Sequence, residues 1–272
     1  MEFNNYVESV WRTLERKLKH VDDSTKHFNW IKHNIMFGLV GYERNKDWLM
    51  KAPHRRCLDL DMEVVYFYMV DLSEGLYFKV TNEHMDAWNV NESILYETAK
   101  HYTVKMFPAL FRSIEKCILD NILYCLNNGE LTRKELPQIL SSCLKKSPEE
   151  ISLPKGEDIS MEELENCIIQ LFDEAVSSNN SNMYVLSNGA FGAVCILYKN
   201  CLETIAESMG SDLYILPSSV RDMVIIPVDK VTDINVLRKM LLDSNRNIIN
   251  ADDVLTDSIY VYRREDGSIE IV

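Results

Sequence analysis

The segment GSDLYILPSSV, residues 210–220, restricts the fold of this chain more than any other stretch. Gly210 is typical of a helix end, because glycine adopts the left-handed conformation without steric cost. Leu213 and Ile215 then alternate with more polar neighbours, as in a strand with one buried face. Pro217 has no amide hydrogen, so the strand must stop or lie at a sheet edge there. A helix followed at once by such a strand predicts a sheet that carries helices.

The rest of the C-terminal half repeats this combination of helices and hairpins. The apolar runs Met183–Leu186 and Phe191–Leu197 flank Asn188 and Gly189, and an Asn-Gly pair between apolar runs predicts a hairpin. The other predicted elements are helices at 160–175, 200–210 and 233–244, strands at 213–216 and 223–228, and a terminal hairpin of 258–264 against 268–272. Hairpins beside helices predict an α+β architecture, an antiparallel sheet with helices on one side.

The N-terminal half is predicted to be mostly helical with a short sheet. Residues 58–72 are rich in β-branched and aromatic residues, which favours a strand, and Leu76–Val80 follows as a second strand. Asn89 and Glu92 have the spacing of a capping box, which predicts a helix from Asn89 to about His101. The remaining elements are an amphipathic helix at 1–20, helices at 111–126 and 132–144, and the run 28–40, for which helix and strand both stay open.

A soft domain boundary is predicted near residue 155. The segment 144–160 contains two prolines and a glycine among mixed charges and few apolar residues, which is typical of a linker or a long loop. The prediction therefore divides the chain into a mostly helical region, residues 1–150, and an acidic α+β domain, residues 155–272.

The charge is concentrated in the second half of the chain. The whole chain has 29 Lys and Arg against 42 Asp and Glu, a formal charge of −13. Residues 151–272 hold 9 of the basic and 20 of the acidic side chains, a net of −11, which leaves −2 for residues 1–150. Direct binding of nucleic acid is disfavoured, because phosphate contacts need clustered Lys and Arg. An acidic half suits a basic protein partner, or serves solubility alone.

Cysteine usage and hydropathy indicate a cytoplasmic protein without cofactors. The seven cysteines are an odd number, and no C-x-x-C pair suggests zinc or redox chemistry. No stretch reaches the roughly 18 apolar residues of a membrane helix, and the N-terminus lacks the pattern of a secretory signal. The sequence predicts no membrane association, and it carries no signal for an oligomeric state.

One candidate for chemistry is the run from His54 to Asp61. If residues 58–61 form a strand, Asp59 and Asp61 share one face, and His54 completes a set of metal ligands or an acid–base pair. The alternative is a solvent-facing polar stripe opposite two buried leucines. Cys57 in the same run is either a nucleophile or a buried structural thiol.

The second candidate is the loop after the strand at 213–216. Its serines have hydroxyls that either satisfy the backbone of the turn or meet a ligand. No histidine follows His101, so a Ser-His pair within the second half is impossible. The candidate binding residues are Ser218, Ser219, Arg221, Asp222, His54 and Arg55, with no catalytic residue assigned.

Two motifs resemble an uncharacterised bacterial family, a domain of unknown function. They are APHR at 52–55, followed by LDL at 58–60, and GSDLYILPSS at 210–219. The stretch 254–258, VLTDS, also fits that family. The resemblance implies a cytoplasmic bacterial protein, often associated with mobile elements, and it implies no activity. The family often carries His-Glu where this chain has Arg221 and Asp222, which weakens any catalytic assignment to that loop.

These observations predict a non-enzymatic protein-binding factor of a bacterial mobile element. Its partner is expected to be a basic protein, and the specific form of the prediction is that this partner handles nucleic acid and is inhibited by this chain. The alternative prediction is a metal-dependent hydrolase, or another enzyme, that uses His54, Asp59 and Asp61. The two hypotheses differ in whether these three side chains converge in a pocket.

Overall fold

The computed structural model describes residues 24–71, 75–144, 146–154, 159–178 and 182–272, so the helix predicted at 1–20 lies outside it. By their contacts, the residues up to Leu110 and from Leu186 onward form one compact unit, and Phe111–Val185 form a second. The first unit combines helices with sheets, and the second is mostly helical. The predicted α+β class is confirmed.

The first sheet of the larger unit is built around one long strand, β3. This strand pairs in antiparallel fashion with β1 along one edge and with β2 and β4 along the other. The bounds are β1 Ile35–Gly41, β2 His54–Arg56, β3 Met62–Asp71 and β4 Leu76–Lys79. All of β1 and most of β3 are buried, which explains why both read as nearly continuous apolar runs.

Within the described residues, four helices accompany this sheet. They are α1 Ser24–Ile31, α2 Tyr42–Leu49, α3 Asn82–Trp88 and α4 Glu92–Met106. Helix α4 packs on β1, where the Phe37 amide donates to the buried Thr103 hydroxyl at 3.0 Å. The ambiguous run 28–40 contains both structures, because α1 ends at Ile31 and β1 begins at Ile35 after a short 3-10 turn.

The second sheet has the strand order β10-β9-β7-β8-β6-β5. Its strands are β5 Leu110–Ser113, β6 Tyr184–Ser187, β7 Leu213–Ser219, β8 Asp222–Pro227, β9 Tyr260–Tyr262 and β10 Ile269–Ile271. Helix α8, Cys201–Met209, precedes β7 in the chain, and helix α9, Ile234–Asn247, lies between β8 and β9. Leu213 and Ile215 are fully buried, as predicted. The pairing of β7 with β9 covers only Leu213–Ile215, so Pro217 lies where β7 has passed beyond β9. The strands at 213 and 223 and the terminal hairpin are therefore confirmed.

The hairpin predicted around Asn188 is wrong in its second arm. Residues Gly192–Leu197 form a 3-10 helix instead of a strand. The Asn188 side chain is buried and donates to the Tyr198 hydroxyl at 3.0 Å, and a side chain at Gly192 would meet the Arg221 carbonyl oxygen at 1.7 Å. Gly189 does adopt the expected positive φ of 78°. Contacts distant in sequence thus override the local turn signal.

Three helices begin later than predicted, and one of them is the helix predicted at 132–144, which begins at Leu136. Helix α4 starts two residues later than predicted, because its N-cap is Asn91, which accepts from the Ile94 amide at 3.0 Å, and Asn89 instead closes α3 in a left-handed conformation. The helix predicted from residue 111 begins at Ile114, after β5. The predicted capping box of Ser160 and Glu163 is present, with its side-chain and backbone bonds at 3.1 Å.

The smaller unit is organised around three helices. They are α5 Ile114–Asn127, α6 Leu136–Leu144 and α7 Met161–Ser178. Their shared core includes Ile151, which lies in the segment predicted to be a linker, and Leu153 packs against that core. The predicted boundary near residue 155 therefore falls inside this unit, and the division by contacts differs from the predicted one. Two apolar anchors within a polar, proline-containing stretch account for the difference.

Candidate functional site

An open cleft with a volume of about 710 Å³ lies in the larger unit, between the turn after β2, the start of α8 and the β9–β10 hairpin. We call it the acidic cleft. Within the part of the chain that the structure describes, its charged lining consists of Asp59, Glu203, Glu265, Asp266 and Arg264. Four carboxylates against one guanidinium give this surface a formal charge of −3.

The turn at one wall of the cleft is held in an unusual backbone conformation. Leu58 and Asp59 are both left-handed, with φ of 49° and 59°, which costs roughly 1–2 kcal/mol for each residue. The buried residues Cys57 and Leu60 anchor the turn, and the Leu60 amide donates to the Cys57 carbonyl at 2.8 Å. Leu58, 51% exposed, and Asp59 are thereby presented at the surface. Residues 58–61 are not a strand, so the prediction that Asp59 shares a strand face with Asp61 is wrong.

The other walls supply aromatic rings and further carboxylates. Tyr198 and Tyr262 are buried but line the cleft with part of their surface. Asp266 precedes the Gly267 turn, and hydrogen bonds from Ser268 hold the pKa of Asp266 below its usual value. Carboxylates beside phenol rings form an environment suited to a cation, because both interact favourably with positive charge.

The electrostatic character of the cleft is visible in the ionisation of Tyr262. Burial raises the pKa of Tyr262, and the negative charges of Glu203, Glu207 and Asp266 raise it further. The phenol therefore stays neutral, in a field that opposes any further negative charge. A bound cation would relieve this field.

Asp61 is close in sequence to Asp59 of the cleft, but its carboxylate belongs to a separate hydrogen-bond network. Its carboxylate accepts hydrogen bonds from the hydroxyls of Thr256, Ser258 and Tyr260, with the Ser258 bond at 2.9 Å. Burial by itself raises the pKa of Asp61, but the three hydroxyl donors outweigh it and leave the pKa below its usual value. Asp61 is thus an ionised, well-bonded anchor between the residues before β3 and the strand β9.

The predicted binding residue Arg55 forms a second polar anchor. Its Nε and Nη2 donate to Glu92 at 2.8 and 2.6 Å, and its guanidinium lies 3.8 Å from the centroid of the Tyr96 ring. The Tyr66 hydroxyl also donates to Glu92. His54, its neighbour, is exposed, and its Nδ1 donates to the Ala52 carbonyl at 2.9 Å. These contacts fasten β2 to the start of α4.

The structure does not assemble the predicted metal site. His54, Asp59 and Asp61 have separate environments, and the described part of the chain contains no group of three or more His, Cys, Asp or Glu side chains able to hold a metal ion. Burial raises the pKa of Cys57 to about 12, so this residue is a neutral thiol rather than a nucleophile.

Ser218 and Ser219 are the last residues of β7, and Val220 and Arg221 form the tight turn that leads into β8. The Ser219 hydroxyl is buried and accepts from the Arg221 amide at 3.1 Å, which is the turn role left open above. Ser218 is half-buried, and Asp222 begins β8. Arg221 is exposed and lines a separate cavity, with a volume of about 330 Å³.

The residues that form the acidic cleft were not predicted from the sequence, apart from Asp59. Glu203 lies in the first turn of α8, and Asp266 lies in a hairpin turn; acidic residues are common at both kinds of position for local reasons. These carboxylates come together through the pairing of β9 with β7, which no local sequence pattern predicts. An excess of acidic residues in the second half was the only signal.

A family model, "Family of unknown function (DUF5688)", matches residues 1–264, and the chain belongs to this family. Comparison with curated proteins gave no match, and comparison with solved structures gave none. Across the described ranges, the helices are all too short or too polar to cross a membrane.

Proposed function

We propose that this member of the DUF5688 family is a non-enzymatic protein-binding factor that holds a basic segment of its partner in the acidic cleft. The observation that carries the proposal is the lining of that cleft, in which four carboxylates face one guanidinium. The volume of about 710 Å³ accommodates long side chains of a docked segment.

Lysine or arginine side chains fit the chemistry of this lining. Asp59, Glu203 and Asp266 come from three different elements and can approach a cation from several sides. The rings of Tyr198 and Tyr262 add surface on which an apolar stem or a guanidinium plane can pack. Long-range attraction by the acidic C-terminal half would also accelerate encounter with a basic partner.

The specific form of the proposal concerns a partner that handles nucleic acid. Such proteins carry clustered Lys and Arg on the surface that contacts phosphates. A carboxylate-lined cleft seated on that surface would compete with phosphates, so the chain would act as an inhibitor. The resemblance described above supports a bacterial, cytoplasmic setting and an origin on a mobile element.

The test uses a defined probe, a fluorescein-labelled peptide of alternating Lys and Ser, and its Glu–Ser counterpart. Fluorescence anisotropy would be measured at low salt and at about 0.3 M salt, where surface charges are strongly screened. We expect binding of the basic peptide only, weakened by salt. Equal affinity for both peptides, or affinity independent of salt, would contradict the proposal.

A pair of matched variants separates the cleft from overall charge. Glu203→Gln combined with Asp266→Asn removes two charges from the cleft, and Glu97→Gln combined with Asp243→Asn removes two exposed charges elsewhere. The cleft variant should bind the basic peptide about tenfold more weakly, and the control variant should differ by about twofold at most. Equal weakening in both would show that net charge, and not the cleft, is responsible.

A further inference from the structure

The cavity beside Arg221 differs from the acidic cleft in its lining. It encloses about 330 Å³, at the lower end of the range for small-molecule sites. The aromatic side chains Tyr77, Phe107 and Phe191 line it, and Arg221 and Asp253 are its charged lining residues within the described ranges. We call it the aromatic pocket.

Its apolar wall consists of aromatic rings that pack on one another. Phe191 is buried and stacks on Phe67, with ring centroids 4.7 Å apart and planes 7° from parallel. Tyr77 meets the Phe191 ring edge-on at 5.3 Å and remains 42% exposed. Rings that pack on one another have few alternative rotamers. A ligand that binds against them therefore loses little free energy to the ordering of these side chains.

The polar side of the pocket carries two opposite charges with unused bonding capacity. Arg221 Nη2 and Asp253 Oδ2 are 3.8 Å apart, beyond the roughly 2.7–2.9 Å of a charge-assisted hydrogen bond. The Arg221 side chain is 66% exposed and that of Asp253 28%. The guanidinium can therefore donate hydrogen bonds to a carboxylate of a ligand, and the carboxylate of Asp253 can accept N–H donors, with little loss of existing bonds.

The backbone fixes the positions from which these two side chains extend. The Ser187 hydroxyl donates to the Arg221 carbonyl at 3.1 Å, and the Val220 amide donates to the Asp253 carbonyl at 2.9 Å. Gly192 permits this approach, because any side chain there would collide with the Arg221 carbonyl. Hydrogen bonds thus fix the backbone of both Arg221 and Asp253.

We propose that the aromatic pocket binds a free α-amino acid with an aromatic side chain. Such a ligand carries an ammonium and a carboxylate on one carbon, which match Asp253 and Arg221 as a pair and leave the site neutral. Its ring would pack on the wall of Tyr77 and Phe191, where aromatic pairs gain from offset or edge-on contact. The proposal concerns a second site and is independent of the function proposed for the acidic cleft.

The test compares three probes of the same shape by isothermal titration calorimetry. Free phenylalanine has both charges, phenethylamine lacks the carboxylate and phenylpropionate lacks the ammonium. Phenylalanine should bind the unmodified protein at least tenfold more tightly than either of the other two, as expected when a charged partner is lost. Equal binding of all three, or no binding of phenylalanine at millimolar concentration, would overturn the proposal.

Two variants assign the charges to their residues. Arg221→Gln should weaken phenylalanine roughly tenfold and leave phenethylamine unchanged, and Asp253→Asn should weaken phenylalanine likewise and leave phenylpropionate no weaker. Thermal melting of each variant establishes that it folds. If both variants fold and bind phenylalanine as the parent does, the pocket is not the site. The Glu203→Gln, Asp266→Asn variant should bind phenylalanine normally, so failure of one proposal is distinguishable from failure of the other.

Discussion

Asp59 and Asp61 are two residues apart in the chain and belong to opposite kinds of polar site. Asp61 is partly buried, and three hydroxyl groups donate to its carboxylate. Asp59 is exposed, stands on a left-handed turn and faces a cleft lined by other carboxylates. In sequence the two look equivalent, since each follows a leucine in Leu-Asp-Leu-Asp.

The difference arises from the backbone between them and from distant partners. Two consecutive left-handed residues, Leu58 and Asp59, reverse the chain and turn Asp59 to the surface. Asp61 instead meets the segment 256–260, almost 200 positions later in the chain. A carboxylate whose bonding capacity is filled supports the fold, whereas one whose neighbours are also negative is available to a cation.

The largest expected effect comes from the same isosteric change at both positions. Asp61→Asn removes the charge and turns an amide donor toward hydroxyl donors, so we expect a loss of about 2–3 kcal/mol in the free energy of unfolding. Asp59→Asn should stay within about 0.5 kcal/mol, because asparagine tolerates the left-handed conformation. Urea unfolding of both variants is the measurement, and equal losses would contradict the contrast between them.

The other polar anchor gives a smaller effect. Arg55→Lys keeps the charge but loses one of two bonds to Glu92 and the stacking on Tyr96, for a cost of about 1–2 kcal/mol. Arg56→Lys is the comparison variant, since Arg56 makes one hydrogen bond, at 3.3 Å, to the buried Glu63, and a lysine keeps a positive charge beside that carboxylate, so the cost should stay below about 1 kcal/mol. A control variant as unstable as Arg55→Lys would refute the role assigned to the paired guanidinium.

Acid should weaken the two anchors formed by Asp61 and Glu92. The pKa values of Asp61 and Glu92 lie below their unfolded values of roughly 3.9 and 4.3, because hydrogen bonds to each carboxylate outweigh its burial. Their stabilisation is present above those unfolded values and is lost as the pH falls through the folded pKa. The difference in unfolding free energy between the parent and Asp61→Asn should therefore be smaller at about pH 3 than at about pH 5.

Much of the fold could be predicted from the sequence where one signal is local and strong. Alternation at Leu213 and Ile215, the helix end at Gly210 and the capping box at Ser160 all depend on neighbours within a few residues. The hairpin at Asn188 failed because a buried amide and a distant carbonyl decide that turn. The cleft could not be predicted, since its carboxylates meet only after β9 pairs with β7.

The smallest changes in the free energy of unfolding are expected for substitutions of two serines. Ser258 donates to Asp61 at 2.9 Å, so Ser258→Ala should cost about 1 kcal/mol through a lost bond to a charged acceptor. Ser218 is also half-buried, but the hydroxyl that supports its turn belongs to Ser219. Ser218→Ala should therefore melt like the parent, within about 0.5 kcal/mol, and bind the basic peptide unchanged. If Ser218→Ala melts normally yet abolishes peptide binding, the 218–222 loop is part of the binding surface and the acidic cleft alone does not define it.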